Sequence, residues 1–500
     1  MREEITRRIA NAAAQLRLMP MVAATVLFVC GLVVFDACDV PWWSVWTLFA
    51  VCCGVAAVRP ELRVSQTCIA VALFLFGGVV LSVHRRGEGV PAGRPVVLEM
   101  EIADVWSERA DGLQSVPVRI VSCDDGSGAE AVESKAVMWS DGSFEAAFGD
   151  RITALSTISG FHGRNSTYFE LMRRRGFCGS LFLRSDDVLS VERHGGGGTV
   201  HHAAVERFSR LRLSPSVEAV SRAVATGDRS RMTPELRRAY SLSGVSHILA
   251  VSGLHIGIIF LLANILFRPL TLLRHGQIVA AFAVLVPAWL YAAAVGFTPS
   301  VVRAALMFSM LQLSRALSAH YNSLNILAAA AFAMLTFDPD TLYDISFRLS
   351  FVAVAAIVTV GRPLYHTADK EPFVFRFLWD TFVIGSVAFV ATAPLTAQFF
   401  GRLSLAGVVV NPLVILCACC MVTISVVWIL VPLPMVQPLV EKTLDAVAGF
   451  QNMAVGRIAN YDFMNFDIHL SDRTVAALYL FMAAVVVLFS VGRDKKMKRR

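Results

Sequence analysis

Apolar stretches near the roughly 20 residues that a helix needs to cross a hydrocarbon core recur along most of this chain. No other feature constrains its fold as strongly. They run Met21 to Phe35, Trp42 to Val58, Cys68 to Val83, Val245 to Phe267, Ile278 to Val295, Val301 to Leu313, Leu324 to Phe337, Ile345 to Val360, Thr381 to Phe399, Leu405 to Leu430 and Val475 to Val491. With 56% of its 500 residues hydrophobic and 17% charged, the chain departs from the soluble balance and reads as a polytopic α-helical membrane protein. Residues 1–83 are expected to form an amino-terminal membrane anchor of about three spans. Residues 245–492 form a second membrane domain, followed by a basic cytoplasmic tail, 493–500. The basic, amphipathic start MREEITRRIANAAAQLRL precedes an apolar run without a small-residue cleavage site, so it is expected to be retained.

Between these membrane regions hydropathy falls, and short runs such as RPVVLEMEIADVWSE, SVPVRIVSCDD and GSLFLRSDDVLSVERH alternate between Gly/Asp turns. Period-two alternation predicts an inserted small antiparallel β domain over 84–193. About five or six strands over roughly 100 residues fit a small β-barrel, with the OB type among the candidates. HGGGGTVHH, 194–202, reads as a flexible linker. The rest of 194–244 reads as amphipathic helices, with Pro234 suited to a helix start. Of ten cysteines, only Cys123 and Cys178 fall in the β domain. They are either a disulfide joining early and late strands or two unrelated buried thiols.

Charge orients the chain. Arg2, Arg7, Arg8 and Arg17 precede the first span, Asp36 and Asp39 follow it, and Arg59 and Arg63 lie between the second and third. The amino terminus is therefore expected in the cytoplasm and the β domain outside it. The net charge of +7 is read as this bias rather than as a sign of nucleic acid. The pattern holds through ten spans and then fails, because an eleventh simple span would put RDKKMKRR outside. Either Leu405 to Leu430 is a re-entrant pair, or Val440 to Ile458 crosses instead of lying on the surface; an irregular, non-spanning piece is expected at one of them.

Within the second membrane domain, SHILAVSGLHIGIIF, 246–260, keeps histidines, serines and glycines that lipid penalises. On one continuous helix Ser252 and His255 would share a face, as a nucleophile and base do. No carboxylate nearby orients the histidine, and serine often satisfies its own backbone. His247 and His255 would lie roughly 12 Å apart along such a helix, too far for a shared ion. The chain contains neither HExxH nor a phosphate loop, so no metal, cofactor or ATP-driven motor is expected. The remaining reading is a pore or translocation path, with His247, Ser252, His255, Arg303 and Arg348 along it. Gly244, Gly253 and Gly257 would permit the local backbone, and Asp228 and Arg229 would organise its entrance.

The run ATGDRSRMTPELRRAYSLSGVSHILAVSGLHIGII, 225–259, closely resembles the signature of the ComEC competence proteins. GFTPSVVRAALM (296–307), DPDTLYDISFRLSFVAV (338–354) and APLTAQFFGRLSLAGVVVNPL (393–413) resemble later blocks of that family, and RNSTYFELMRRRGFCGSLFL (164–183) resembles the end of its OB-like domain. The resemblance implies a channel, not an enzyme, admitting single-stranded transforming DNA across the cytoplasmic membrane during natural competence. It implies a DNA receptor and a cytoplasmic ATP-driven motor as partners, and an assembly of several copies is compatible with it. Single-strand binders use basic grooves and stacking aromatics; Trp106, Trp139, Phe144 and Phe161 are available, although a small β core needs aromatics anyway. Many members end in a metallo-β-lactamase-like domain, which is not expected here, so a separate nuclease is. The family often has Gln where this chain has Arg348. The competing readings are a small-molecule or lipid exporter and an intramembrane serine hydrolase.

Overall fold

The structure is a computed structural model, and it describes residues 19–38, 40–58, 63–84, 93–103, 107–108, 113–126, 128–144, 146, 149–160, 172–173, 176–193, 200–249, 251–316, 322–361, 364, 372–461 and 464–497. The start at 1–18, most of the 194–202 linker, Trp106 and Phe161 lie outside the described residues. The chain divides into two compact units, Met1–Thr199 with His320–Asp344, and Val200–Ala319 with Ile345–Arg500.

In the first unit, α1 (Pro20–Ala37), α2 (Trp42–Val58) and α3 (Arg63–His84) precede a β region, and α10 (Ser323–Phe337) joins them from later in the chain. A Cβ on Gly31 would lie 1.9 Å from the Phe74 carbonyl oxygen, so the α1–α3 crossing needs glycine. α10 docks on α1 through Thr25 Oγ1, which donates to the Ala328 carbonyl at 2.8 Å, and through Phe28 and Phe332, whose ring centroids are 4.7 Å apart. Just beyond α10, the Tyr343 hydroxyl donates to Asp36 at 2.7 Å. Sequence order groups this helix with the second membrane domain, and an apolar run carries no signal of which distant helix it meets.

The β region comprises β1 (Pro95–Ile102), β2 (Ser107–Glu108), β3 (Gln114–Asp124), β4 (Ala129–Ser140), β5 (Arg151–Thr157), β6 (Phe177–Leu183) and β7 (Val188–Glu192). Alternation does what period two requires, placing Val96, Leu98, Met100 and Ile102 of β1 in a core with Val116, Val118, Ile120, Met138 and Ile152. The strand order is β6-β4-β3-β1-β5-β7, with β2 on β3 and the β4–β6 pair parallel. This corrects the expected barrel, because the sheet does not close. Between the β5 side and β6 stands one isolated bridge, Ser159 to Ser180. Periodicity fixes which side chains face inward, but it carries no information on whether the last edge is paired. Cys123 and Cys178 are not joined in a disulfide; Cys123 is buried, and the Cys178 thiol donates to the Lys135 carbonyl at 3.3 Å. Phe144 packs against the core, and Trp139 is half-buried.

The second unit holds α4 (Val200–Ser209), α5 (Pro215–Thr226), α6 (Pro234–Leu242), α7 (Gly253–Phe267), α8 (Gly276–Ala294), α9 (Pro299–Ala316), α11 (Ile345–Ala356), α12 (Phe373–Phe400), α13 (Ala406–Leu430), α14 (Gln437–Ala459) and α15 (Asp472–Met497). Short strands β8 (Arg402–Ser404) and β9 (Asn465–Asp467) pair antiparallel. Among the described residues, six helical stretches are long and apolar enough to cross a membrane: Pro20–Ala37, Val64–His84, Gly253–Leu272, Gly276–Ala294, Trp379–Phe400 and Ala406–Leu430. Of the two alternatives for 405–458, the re-entrant pair at Leu405 to Leu430 is not what forms, since α13 is one continuous helix despite Pro412. The core of this unit gathers Phe208, Val217, Val220, Val224, Tyr240, Met421, Val422, Trp428 and Leu444, so α5 and α6 are packed elements rather than a loose connection.

Candidate functional site

Two helix ends and the stretch between them build the site. Proline at the first position and left-handed Gly227 after the last residue delimit α5. α6 starts at Pro234, where the Thr233 hydroxyl accepts from the Leu236 backbone N–H at 3.3 Å. The turn between them carries Asp228, whose side chain is 3% exposed. Its Oδ2 lies 2.6 Å from Arg222 Nη2 and accepts from Arg222 Nε at 2.8 Å, while Oδ1 accepts from the Ser230 N–H at 2.9 Å. Burial alone would push this carboxyl up. The Ser230 backbone and side chain, then the Arg222 guanidinium, outweigh burial and hold it below the usual carboxylate range.

Beyond α6 the backbone is irregular. Gly244 takes φ +72, and Ser246–Ile248 form a single 3-10 turn. The helix expected over Val245 to Phe267 begins only at Gly253. Two side chains hold the intervening carbonyls: Arg229 Nε donates to Leu249 O at 3.0 Å, and the Ser300 hydroxyl donates to Val251 O at 2.6 Å. Such contacts are how non-helical backbone is satisfied where water is absent. Gly244 also meets the start of α13, because a Cβ there would sit 3.0 Å from the Gly407 nitrogen, and one on Gly407 would sit 2.9 Å from the Gly244 oxygen. The Ser404 hydroxyl donates to Leu242 O at 2.9 Å beside this crossing.

Ser252 is the residue before α7, not a member of it, and its backbone is extended. Its N–H donates to His255 Nδ1 at 2.8 Å, and its Oγ lies 3.0 Å from the same atom. A backbone N–H can only donate, so Nδ1 is unprotonated, the ring proton sits on Nε2, and the serine hydroxyl is the donor. This is the capping-box arrangement with imidazole in the place of Glu or Gln. It accounts for the three-residue spacing of Ser252 and His255 as a contact that closes the start of α7. His255 is 1% exposed, and Nε2 finds no hydrogen-bond partner among the described residues.

The remaining expected residues are distributed as follows. Arg303, 4% exposed, lies on the first turns of α9 with its guanidinium carbon 5.7 Å from the Phe351 ring centroid of α11. Gly253 adjoins Ala304 and Gly257 adjoins Phe308, so α7 and α9 meet along this face. Arg348 is half-buried on α11, one turn before Phe351, whereas His247 is exposed, beside exposed Ser246 and ahead of buried Ile248. The structure thus sets Ser252 and His255 at the start of α7, where Gly253 adjoins Ala304 of α9, places Arg303 one residue before that contact with its guanidinium near Phe351 of α11, and ties Arg229 to Leu249 ahead of them. It gives the three glycines different roles, since only Gly244 has the left-handed backbone. Sequence reasoning missed Arg222 and Ser300. The i,i+4 pair Glu218–Arg222, 3.6 Å apart, was the available signal for the first; nothing local signalled the second. Among the described residues there is no group of three or more His, Cys, Asp or Glu side chains placed to hold a metal ion.

A family model described as Competence protein matches residues 224–494, more than half of the chain. ComE operon protein 3 of Bacillus subtilis (strain 168) is 27% identical over 228 residues, covering 46% of this chain and 27% of that protein. An uncharacterized protein of Aquifex aeolicus (strain VF5) is 30% identical over 196 residues, covering 39% of this chain and 44% of that one. The matches therefore span less than half the length of either relative. No solved structure matches. The matched residues begin inside α5 and include the Asp228 turn, the broken segment before α7 and Arg303, and with them the chain belongs to the competence protein (ComEC) family, which is implicated in DNA uptake.

Proposed function

We propose that this chain is a channel for single-stranded transforming DNA across the cytoplasmic membrane, and that it acts by transport, not catalysis. The observation that carries the reading is the helix break at 243–252, lying within the family match and flanked by a buried arginine on α9. Broken backbone at membrane depth is tolerated where protein or a hydrated path satisfies it. A buried cation inside a helical bundle suits an anionic cargo better than a lipid or neutral solute. In this reading a cytoplasmic ATP-driven motor, an external DNA receptor and a nuclease complete the machinery, and several copies assemble in the membrane.

The amino terminus faces the cytoplasm and the β region faces out, where it handles incoming DNA as a partly open OB-type module. The support for that module is the strand order β6-β4-β3-β1-β5, its parallel β4–β6 pair and the single bridge back to β6. Arg303→Ala should abolish entry of labelled DNA into a nuclease-protected form, while expression and binding of DNA at the cell surface stay normal. Unimpaired entry in a well-expressed variant would refute the assignment of Arg303 to the path.

A further inference from the structure

α13 and α14 form an antiparallel hairpin whose open ends are tied together. Arg402, Leu403 and Ser404 of β8 pair with Asp467, Phe466 and Asn465 of β9. Around that pairing Leu405 N–H donates to Met464 O at 2.9 Å, and Ile468 N–H donates to Gly401 O at 3.0 Å. The 25 residues of α13 carry the chain roughly 37 Å away from β8. Residue 465 nevertheless lies beside Ser404, so the 23 residues of α14, about 34 Å of helix, make the return. A helix lying flat on the far surface would leave β9 a membrane's thickness from β8.

By composition α14 is not among the membrane-capable helices, because Glu441, Lys442, Asp445, Gln451, Asn452 and Arg457 lower its hydropathy. Most of these polar groups are occupied inside the unit. Glu441 accepts from the Arg212 N–H at 2.8 Å, and Asp445 accepts from the Ser214 hydroxyl at 3.1 Å and its N–H at 3.3 Å, ahead of α5. Asn452 donates to Ser216 O at 3.1 Å and accepts from the Tyr240 hydroxyl at 2.8 Å, and Gln451 donates to that same hydroxyl at 2.9 Å. Apart from Pro438 in its first turn, what remains outward is a single helical row at three- and four-residue steps: Leu439, Lys442, Ala446, Phe450, Met453 and Arg457, all exposed. Leu439, Phe450 and Met453 are 65%, 46% and 48% exposed, and the two cations bracket the apolar middle.

We propose that α14 crosses the bilayer beside α13, with lipid acyl chains covering its Leu439, Ala446, Phe450 and Met453 face and Lys442 and Arg457 reaching the two headgroup layers. The cations are 15 positions apart, roughly 22 Å along the axis, and their long stems extend that reach toward the roughly 30 Å core. The occupant is lipid because α13, which shares one buried core with α14 (Val414, Ala418 and Met421 from α13, Val440, Leu444 and Ala448 from α14), is itself a membrane-capable span. Sequence hydropathy cannot see this span, since it counts Glu441, Asp445 and Asn452 as if they met lipid.

The inference does not rest on a DNA cargo and is tested separately from it. In the full chain, short epitope tags are inserted after Pro434, at the hairpin tip, and after Leu470, beyond β9, and probed in intact cells and inverted vesicles. The tags are expected on opposite faces; both on one face would overturn the crossing. Because insertions can disturb folding, a photoreactive benzoylphenylalanine at Phe450 in the otherwise native chain provides a second readout. It is expected to form adducts with radiolabelled phospholipid as readily as the same group at exposed Leu261 of α7. Adducts with a second copy of the chain, or none at Phe450 while Leu261 reacts, would overturn the lipid assignment.

Discussion

The contact between Gly244 and Gly407 separates a backbone crossing from a hinge, and a set of glycine-to-alanine replacements measures it. Gly244→Ala places a side chain in the left-handed region, at a cost of about 1–2 kcal/mol. Its Cβ would lie 3.0 Å from Gly407 N and 3.1 Å from Gly407 Cα, both backbone atoms that move only with α13. Overpacking of this kind adds typically about 1–3 kcal/mol, giving a total of about 2–5 kcal/mol. Gly407→Ala meets the Gly244 oxygen at 2.9 Å but regains about 1 kcal/mol of helix propensity, so its net effect is smaller. Gly257→Ala meets only the Phe308 ring, Cζ at 3.4 Å and Cε2 at 3.7 Å, in the interior of α7, and should stabilise by up to about 1 kcal/mol. The assay is the temperature at which each purified variant loses its monodisperse peak in detergent at one fixed heating time, paired with transformation frequency. The expected order of stability is Gly257→Ala, wild type, Gly407→Ala, Gly244→Ala. A Gly244→Ala protein as stable as wild type, or less stable Gly257→Ala protein, would refute the geometry.

Three further outcomes follow from the site. His255→Gln should keep most of the stability, because Gln can accept at the same capping position, whereas His255→Leu loses the cap and about 1 kcal/mol, read in the same thermal assay. Arg222→Leu strands the Asp228 carboxylate in a buried site and should cost about 3–5 kcal/mol. The double variant Arg222→Leu/Asp228→Leu should cost less than Arg222→Leu alone, as a thermal double-mutant cycle would report. The Asp228 carboxyl is held below its unfolded value near 3.9, so its contribution is fully present above that pH and disappears as pH falls through the lower folded value. Comparing wild type and Asp228→Asn across that acid range should show their difference shrinking as pH drops.

Part of this was legible in the residues alone. The polar groups of 246–260 carry a cost in lipid that a straight helix does not offset, and a break there was the natural consequence. The start of α7 was harder to see, since SGLH reads equally as helix interior until the His255 ring is found accepting from Ser252. Gly244 was singled out for its freedom, but what it meets is 163 positions later in sequence, at Gly407, and no local pattern encodes a contact of that range. Asp228 drew attention as a charge, while Arg222 was hidden by looking like an ordinary helix-surface arginine. The α14 case is the same problem in reverse: Glu441 and Asp445 read as solvated in sequence, yet in the fold they accept from the Arg212 and Ser214 backbone N–H groups. Alternation located the core of the β region and left its edges undetermined.

The central claim is that this chain conducts transforming DNA inward. It is tested most directly by deleting the gene, supplying labelled double-stranded DNA, and measuring nuclease-protected single strands inside the cell with and without the restored chain. The account predicts that DNA still binds at the surface, that the protected strand is lost on deletion, and that wild type restores it but Arg303→Ala does not. A normal amount of protected strand in the deletion would contradict it and leave the exporter as the reading to pursue.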